Sequence, residues 1–167
     1  MGARKKMTEY ILFFDGSCQG QPDKKRIGMG IHLTWVNPCE EDEEDLVYAR
    51  GWRKDYGKQT NNVAEYEALI HGLEIFALVQ NRSEYAKLHI YGDSKLVINQ
   101  VFANWKVNSL HLKPLNNIAK GLVQHIGEEQ ITAEWIPREE NKLADKYAQN
   151  AASYYPETFE KNKLGEQ

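Results

Sequence analysis

A continuous apolar run, Tyr10–Phe14, constrains the fold most, because it stops abruptly at a charged residue, Asp15. Five apolar residues without polar alternation are typical of a strand that is covered on both faces. Such a strand belongs inside a sheet that has other layers packed against it. The 167 residues are enough for one such domain with its own core, and too few for two comfortable ones.

Hydrophobic patterning predicts the remaining elements. Gly28–Val36 and Leu46–Arg53 predict two further strands, so the first three strands form an antiparallel meander. The period changes in Asn62–Val79, where apolar side chains recur every three or four residues, as in an amphipathic helix. The later segments predict strands at Lys87–Tyr91 and Ile131–Ile136, and helices at Ser94–Phe102, His111–Ile126 and Asn141–Tyr155, the last with an Asn cap. The order β-β-β-α-β-α-α-β-α predicts a mixed α/β domain.

Composition excludes several classes of protein. No stretch approaches the roughly 18 uncharged apolar residues of a membrane helix, so we expect no membrane partner. The basic start, Met1–Lys6, lacks the apolar region of a secretory signal. Two cysteines, Cys18 and Cys39, cannot form a disulfide scaffold, which favours a reducing, cytoplasmic compartment.

The net charge of −3 argues at first against a nucleic-acid binder, since such proteins usually carry a basic patch. Six of the acids, however, form the unbroken run Glu40–Asp45. The other 18 acidic residues face 21 Lys and Arg. We expect the run to be a solvated, mobile loop within an elongated hairpin. The charge therefore leaves nucleic acid open as a ligand.

Four acidic residues stand where elements meet. Asp15 and Asp93 each end a predicted strand, and Glu65 and Asp145 lie in the first turns of predicted helices. Two adjacent strand ends and two helix starts can converge on one rim of a sheet. Taken singly, Asp93 could cap the next helix, and Glu65 and Asp145 could be favourable charges at helix N-termini. Asp15 fits such alternatives worst, because no helix follows it.

Four converging carboxylates would repel one another and force protonation. Divalent hard cations relieve that repulsion, and ligand sets made only of oxygen suit Mg²⁺ or Mn²⁺ rather than zinc. Two such ions about 4 Å apart can activate a water and stabilise a leaving oxygen in phosphoryl transfer. The sequence contains neither a Gly-x-x-x-x-Gly-Lys phosphate loop nor a Gly-x-Ser-x-Gly elbow, so P-loop and serine-esterase chemistry lack support.

Four segments, Asp15–Cys18, Thr60–Glu65, Gly92–Ser94 and Asn141–Asp145, resemble the signature segments of type 1 ribonuclease H, in the family's order and with similar separations. The resemblance implies a ribonuclease H-like fold, with a five-stranded mixed sheet flanked by helices. It places the catalytic domain at residues 8–155, with a basic arm at 1–7 and a tail at 156–167.

The same resemblance implies an activity. The family cleaves the RNA strand of RNA–DNA hybrids as an endonuclease, using two Mg²⁺ ions, for which Mn²⁺ can substitute, and leaving 5′-phosphate and 3′-hydroxyl ends. A monomer that binds an RNA–DNA hybrid is therefore expected. The family's metal-holding catalytic carboxylates carry over to Asp15, Glu65, Asp93 and Asp145.

Substrate contacts are implied at further positions. Cys18, Asn61 and Asn62 match positions that contact 2′-hydroxyls, which a hybrid-specific nuclease must sense on one strand. The Asn pair could instead cap the helix. Thr60, with Lys58 nearby, resembles the family's phosphate pocket for the DNA strand. Trp105 and Lys106 offer an aromatic surface and a cation to a sugar-phosphate backbone, although core packing of Trp105 is an equal alternative.

Two departures from the family pattern stand out. Many relatives insert a basic helical protrusion after the second helix, whereas only Phe102–Lys113 intervenes here and the segment is not notably basic. Such relatives also carry a histidine loop before the last aspartate. Here Pro137–Asn141 contains no histidine, and Arg138 or Glu139 is the predicted substitute.

Two other functions remain open. One is a non-catalytic nucleic-acid-binding module that kept the fold, which is disfavoured because all four carboxylates are present. The other is a strand-transfer enzyme of the same fold, which the Thr60–Asn62 segment disfavours.

Overall fold

A computed structural model describes residues 7–20, 25–36, 42–53, 60–80 and 85–153. The basic arm before residue 7, Lys58, Glu40, Glu41 and everything beyond residue 153 lie outside the described residues. The elements follow the predicted order. They are β1 (Met7–Gln19), β2 (Arg26–Val36), β3 (Glu43–Arg53), α1 (Asn61–Val79), β4 (Tyr85–Gly92), α2 (Lys95–Phe102), α3 (Lys113–Ile126), β5 (Ile131–Trp135) and α4 (Lys142–Ser153), with short 3₁₀ turns at Glu128–Gln130 and Arg138–Glu140.

The strands form one five-stranded sheet in the order β3-β2-β1-β4-β5, which confirms the predicted mixed sheet. β1 lies at its centre, antiparallel to β2 and parallel to β4. The pairing with β4 ends at Phe14 and Gly92, whereas the pairing with β2 continues to Gln19. The prediction that the first strand ends at Asp15 is therefore wrong, because the antiparallel ladder extends the strand. Asp15 is the first residue beyond the parallel pairing.

Helices cover the sheet on both faces. Tyr10, Leu12 and Phe14 of β1 are buried on one face, where the Tyr10 ring packs edge-on against Phe76 of α1 with 5.1 Å between centroids. α4 lies on the opposite face. A Cβ atom at Gly30 of β2 would collide with the carbonyl of Ala144, so the missing side chain lets α4 approach the sheet backbone. This close contact brings the start of α4 to the end of the β1–β4 pairing.

The expectation that Tyr10–Phe14 is covered on both faces is wrong at one position. Ile11 is 37% exposed. It pairs with Thr34, whereas Asp15 pairs with Gly30, over which α4 packs. α4 therefore packs over only one end of β2, and Ile11 remains in contact with water.

Half of the acidic run belongs to a strand. Its last three residues, Glu43–Asp45, form the start of β3 and pair with β2, which corrects the prediction of a hairpin loop over Glu40–Asp45. The Asp45 carboxylate lies 2.7 Å from Nε2 of His32 on the neighbouring strand. The ladder with β2 satisfies backbone groups that a loop would leave to water, and the imidazole neighbours one of the charges.

In the described part of the chain, no helix combines the length and the apolar character that crossing a bilayer demands.

Candidate active site

Three carboxylates gather at the end of the parallel β1–β4 pairing. Asp15, Glu65 and Asp93 each offer an oxygen within 4.8 Å of the others. Asp15 lies on β1 just past the last pair with β4, and Asp93 directly follows β4. Because parallel strands end at the same edge of a sheet, the two aspartates meet there. The predicted convergence of these two strand positions is confirmed.

Glu65 reaches the group from α1. The helix begins at Asn61, and the hydroxyl of the N-cap Thr60 accepts a hydrogen bond from Val63 N at 3.3 Å. Glu65 is therefore in the second turn, not in the first turn as predicted, and it is buried. The amide of Gly16 donates to Glu65 Oε2 at 3.2 Å. Glu65 thus bonds to β1 from inside the helix. The alternative that it serves only as a favourable charge at the helix N-terminus is therefore wrong.

Gly16 is required for that contact. A Cβ atom there would collide with the backbone of Ala64 and Glu65, so β1 and α1 could not approach so closely with any other residue. The glycine of the Asp15–Cys18 segment thus brings the carboxylates of two elements together.

Asp93 does not cap α2, contrary to the alternative from the sequence. Ser94 is the cap, because its Oγ accepts from Val97 N at 3.3 Å. Asp93 Oδ1 is buried and has no hydrogen-bond partner among the described residues. The Asp93 carbonyl accepts from Nε1 of Trp135 at 3.0 Å, and the Lys95 ammonium lies 4.4 Å from the centroid of that indole. An unpaired buried carboxylate oxygen in this group is a natural ligand for a cation.

Asp145 lies in the first turn of α4, as predicted, and joins the group by a hydrogen bond with Asp15. It is also held from two other sides. Arg138 Nη2 donates to Asp145 Oδ1 at 3.1 Å, and Gln149 Nε2 donates to both carboxylate oxygens at 2.9 and 3.0 Å. All four predicted carboxylates therefore converge, but the fourth is paired with a guanidinium.

The protonation of the group follows from burial. Burial and then the charge of Asp93 raise the pKa of Asp15 from its usual 3.8 to about 8. Burial, with Asp15 next to it, raises the pKa of Glu65 well above its usual range. Burial opposes ionisation of Asp145, but hydrogen bonds from Asp15, Arg138 and Gln149 outweigh it and lower its pKa. Without a cation, Asp15 therefore holds a proton at neutral pH.

These observations fit a divalent cation. The donors are all carboxylate oxygens, which Mg²⁺ and Mn²⁺ prefer over nitrogen or sulfur. A cation would remove the cost of ionising Asp15 and Glu65 side by side, and it would satisfy Asp93 Oδ1.

Several of the predicted substrate contacts lie on the elements that carry these carboxylates. Asn61 Oδ1 accepts from the amide of Cys18 at 3.1 Å, which ties the start of α1 to β1. Asn61 and Asn62 are exposed and neither is the cap, since Thr60 has that role. Trp105 is 52% exposed, so the alternative of core packing is wrong, and Lys106 is exposed next to it.

Three functional features were missed from the sequence. Gln149 follows Asp145 by four residues on α4, a spacing that could have indicated the contact. Asn141 was predicted as a cap, but its amide donates to the Phe14 carbonyl at 2.9 Å and its Oδ1 has no partner among the described residues. The pairing of Lys95 with Trp135 has no sequence signal, because it depends on how α2 and β5 are placed.

The topology of the sheet and the carboxylates at the end of its two central parallel strands define a domain of the ribonuclease H-like fold. A family model for RNase H matches residues 7–153. The chain therefore belongs to the RNase H family, a family of hydrolases, and its relatives are of type 1.

The sequence similarity to known proteins extends over most of this chain. "Bifunctional protein Rv2228c" of Mycobacterium tuberculosis is 41% identical over 141 residues, which are 84% of this chain and 35% of that protein. "Ribonuclease HI" of Halobacterium salinarum is 31% identical over 139 residues, 83% of this chain and 62% of the relative. The chain thus spans about a third of the length of the mycobacterial relative. The crystal structure of LC11-RNase H1 in complex with RNA/DNA hybrid aligns with a TM-score of 0.62 and 25% identity, and covers 86% of this chain and 96% of that one.

Proposed function

We propose that this protein is an endoribonuclease that hydrolyses the RNA strand of RNA–DNA hybrids. One observation carries the proposal: Asp15, Glu65 and Asp93 present oxygens within 4.8 Å, with Asp145 hydrogen-bonded to Asp15. A non-catalytic module gives no reason for carboxylates to be buried side by side, where burial raises the pKa of both Asp15 and Glu65. The related LC11-RNase H1, solved with an RNA/DNA hybrid, supports the choice of substrate.

The proposal includes two Mg²⁺ ions, or Mn²⁺ in their place, held by Asp15, Glu65, Asp93 and Asp145. When bound, the ions would supply an activated water and charge stabilisation for the departing 3′ oxygen, which leaves 5′-phosphate and 3′-hydroxyl ends. Asp15 lies between Glu65 and Asp145. It would hold one ion with Asp93 and Asp145, and the other with Glu65 and Asp93.

The surrounding residues would orient the hybrid. The Asn61 oxygen is engaged by the Cys18 amide, so its NH₂ group is the part that can donate to a 2′-hydroxyl. Arg138 is largely exposed beyond its contact with Asp145, and its guanidinium can turn toward a phosphate. Trp105 and Lys106 would contact the sugar-phosphate backbone. Thr60 at the start of α1, together with Lys58, would bind the DNA strand.

The test is cleavage of matched duplexes of one sequence, labelled on either strand, with and without Mg²⁺. We expect cutting only in the RNA strand of the hybrid, with products that carry 5′-phosphates, and none in double-stranded RNA or DNA. Asp93→Asn should bind the hybrid and leave it intact. Equal cutting of double-stranded RNA would refute the substrate assignment.

The runner-up is a binding module, which predicts tight hybrid binding by the wild type without any cleavage at any Mg²⁺ or Mn²⁺ concentration. A monomeric state and a cytoplasmic location remain predictions from the sequence. Size measurement with and without hybrid would test the first of these.

A further inference from the structure

The irregular segment between α2 and α3, residues 103–112, is mostly exposed, and hydrogen bonds join it to both helices. Trp105 N donates to the Asn99 carbonyl at 3.0 Å, and Lys120 Nζ donates to Asn104 Oδ1 at 3.2 Å. Asn104 takes a positive φ of 56°, a conformation that asparagine tolerates better than most residues. A third attachment comes from the core, where Gln100 Nε2 donates to the Lys106 carbonyl at 3.3 Å. The segment is thus held where it presents Trp105 and Lys106.

Gln100 belongs to a buried polar network. Its Oε1 accepts from the Tyr66 hydroxyl at 2.6 Å. Asn116 Nδ2 donates to that same hydroxyl at 3.1 Å and to the Gln100 carbonyl at 3.2 Å. The three side chains come from α1, α2 and α3, and all are buried. The network therefore joins three helices around one amide.

Burying a side-chain amide costs folding free energy unless both its oxygen and its nitrogen form hydrogen bonds. Here the oxygen of Gln100 is paired with Tyr66 and its nitrogen with the backbone of Lys106. Tyr66 follows Glu65 directly on α1. One side chain thus connects the helix that carries a site carboxylate to the backbone of the Trp105–Lys106 pair.

We propose that Gln100 is a positioning residue for hybrid binding. It sets the distance between α1 and the Trp105–Lys106 pair, so that these two side chains are held in the position in which they bind the duplex backbone. Gln100 does not touch the substrate itself. The inference rests on the proposed function, in which Trp105 and Lys106 contact the hybrid.

The test compares Gln100→Met, which keeps the volume and removes both hydrogen bonds, with Phe76→Leu, a core change at the far end of α1 that does not touch the segment. Gln100→Met should raise KM and Kd for a hybrid about threefold to tenfold, the usual size of one lost hydrogen bond, and leave kcat unchanged. Phe76→Leu should lower the melting temperature without changing KM. If both variants lose stability but neither changes KM, Gln100 is structural only and the proposal is overturned.

A double-mutant cycle sharpens the result. In a background of Trp105→Ala and Lys106→Ala, Gln100→Met should add nothing to Kd, because the contacts it positions are already gone. Additive effects would overturn the proposal, as would unchanged Kd in the Trp105→Ala, Lys106→Ala variant. Absence of hybrid binding and cleavage in the wild type would instead defeat the proposed function, and this inference with it.

Discussion

Asn141 donates a hydrogen bond from its side-chain amide to the backbone carbonyl of Phe14 over 2.9 Å, and so connects the start of α4 to the strand position just before Asp15. Asn141 is 1% exposed. The backbone carbonyl of Asn141 accepts a hydrogen bond from the backbone amide of Asp145, as in the first turn of a helix. Two site carboxylates from distant parts of the chain are thereby set at a defined separation through one side chain.

Asn141→Ala should therefore loosen the site as well as the fold. Loss of the bond leaves the Phe14 carbonyl buried without its partner, which should cost about 1–3 kcal/mol of unfolding free energy. Displacement of Asp145 should lower kcat by roughly tenfold to a hundredfold. Urea unfolding and single-turnover cleavage measure the two effects. Glu140→Ala, an exposed neighbour, is the control and should change neither. Full kcat in Asn141→Ala would show that the bond does not position Asp145.

Arg138 competes with a cation for Asp145. The ion pair is exposed on the arginine side, where 67% of the side chain meets solvent, so Arg138→Ala should change stability by less than about 1 kcal/mol. Without the neighbouring guanidinium, the Asp145 carboxylate should bind Mg²⁺ more tightly, whereas turnover should fall because one of the two predicted substitutes for the family's histidine is lost. Mg²⁺ titrations of binding and of kcat separate the two effects. Glu140→Ala is the matched control on the same 3₁₀ turn, and weaker Mg²⁺ binding by Arg138→Ala would contradict this interpretation.

Much of this architecture was predictable, because it depends on patterns within short segments. Strand and helix periodicity predicts every element in order, and the four acids are recognisable because each lies near the end of a predicted strand or the start of a predicted helix. The boundaries that failed depend on partners far away in the chain. β1 continues to Gln19 because β2 pairs with it, and Glu43–Asp45 are a strand because of the same neighbour.

The contacts of side chains were less predictable. A short polar residue before a helix predicts a cap, yet Asn141 is used to bond Phe14. The family resemblance places Thr60 in a phosphate pocket, and in the structure its hydroxyl caps α1. The Thr60 cap is a local contact and leaves its proposed role at the DNA strand open, whereas the role of Asn141 depends on how α4 packs against β1.

Protonation of Asp15 should make the stability of the metal-free protein fall as pH rises. Its pKa is about 8 when folded, against about 4 in an unfolded chain. Between these values the folded protein holds a proton that the unfolded chain has released, so each pH unit should cost about 1.4 kcal/mol from Asp15 alone. Mg²⁺ should reverse the trend, because it binds the ionised carboxylates. Melting temperatures from pH 5 to 9 in EDTA and in Mg²⁺ measure this.

Asp15→Asn provides the control for that profile. It removes the titrating group, so the metal-free variant should be more stable than the wild type near pH 8 and should show a flatter dependence on pH. A wild-type melting temperature that rises between pH 5 and 8 in EDTA would contradict the assignment of a raised pKa to Asp15.

The contact between Gly30 and α4 should link packing to catalysis. A methyl group at this position would meet the Ala144 carbonyl, one residue before Asp145, so Gly30→Ala must push the start of α4 away from the sheet. Overpacking of this kind costs about 1–3 kcal/mol. Because Asp145 moves with the helix, kcat at saturating Mg²⁺ should also fall. Gly121→Ala on α3, where a Cβ meets nothing within 4 Å, is the control and should be neutral or slightly stabilising. Equal loss of stability in both glycine variants would show that the close approach of α4 is not what Gly30 provides.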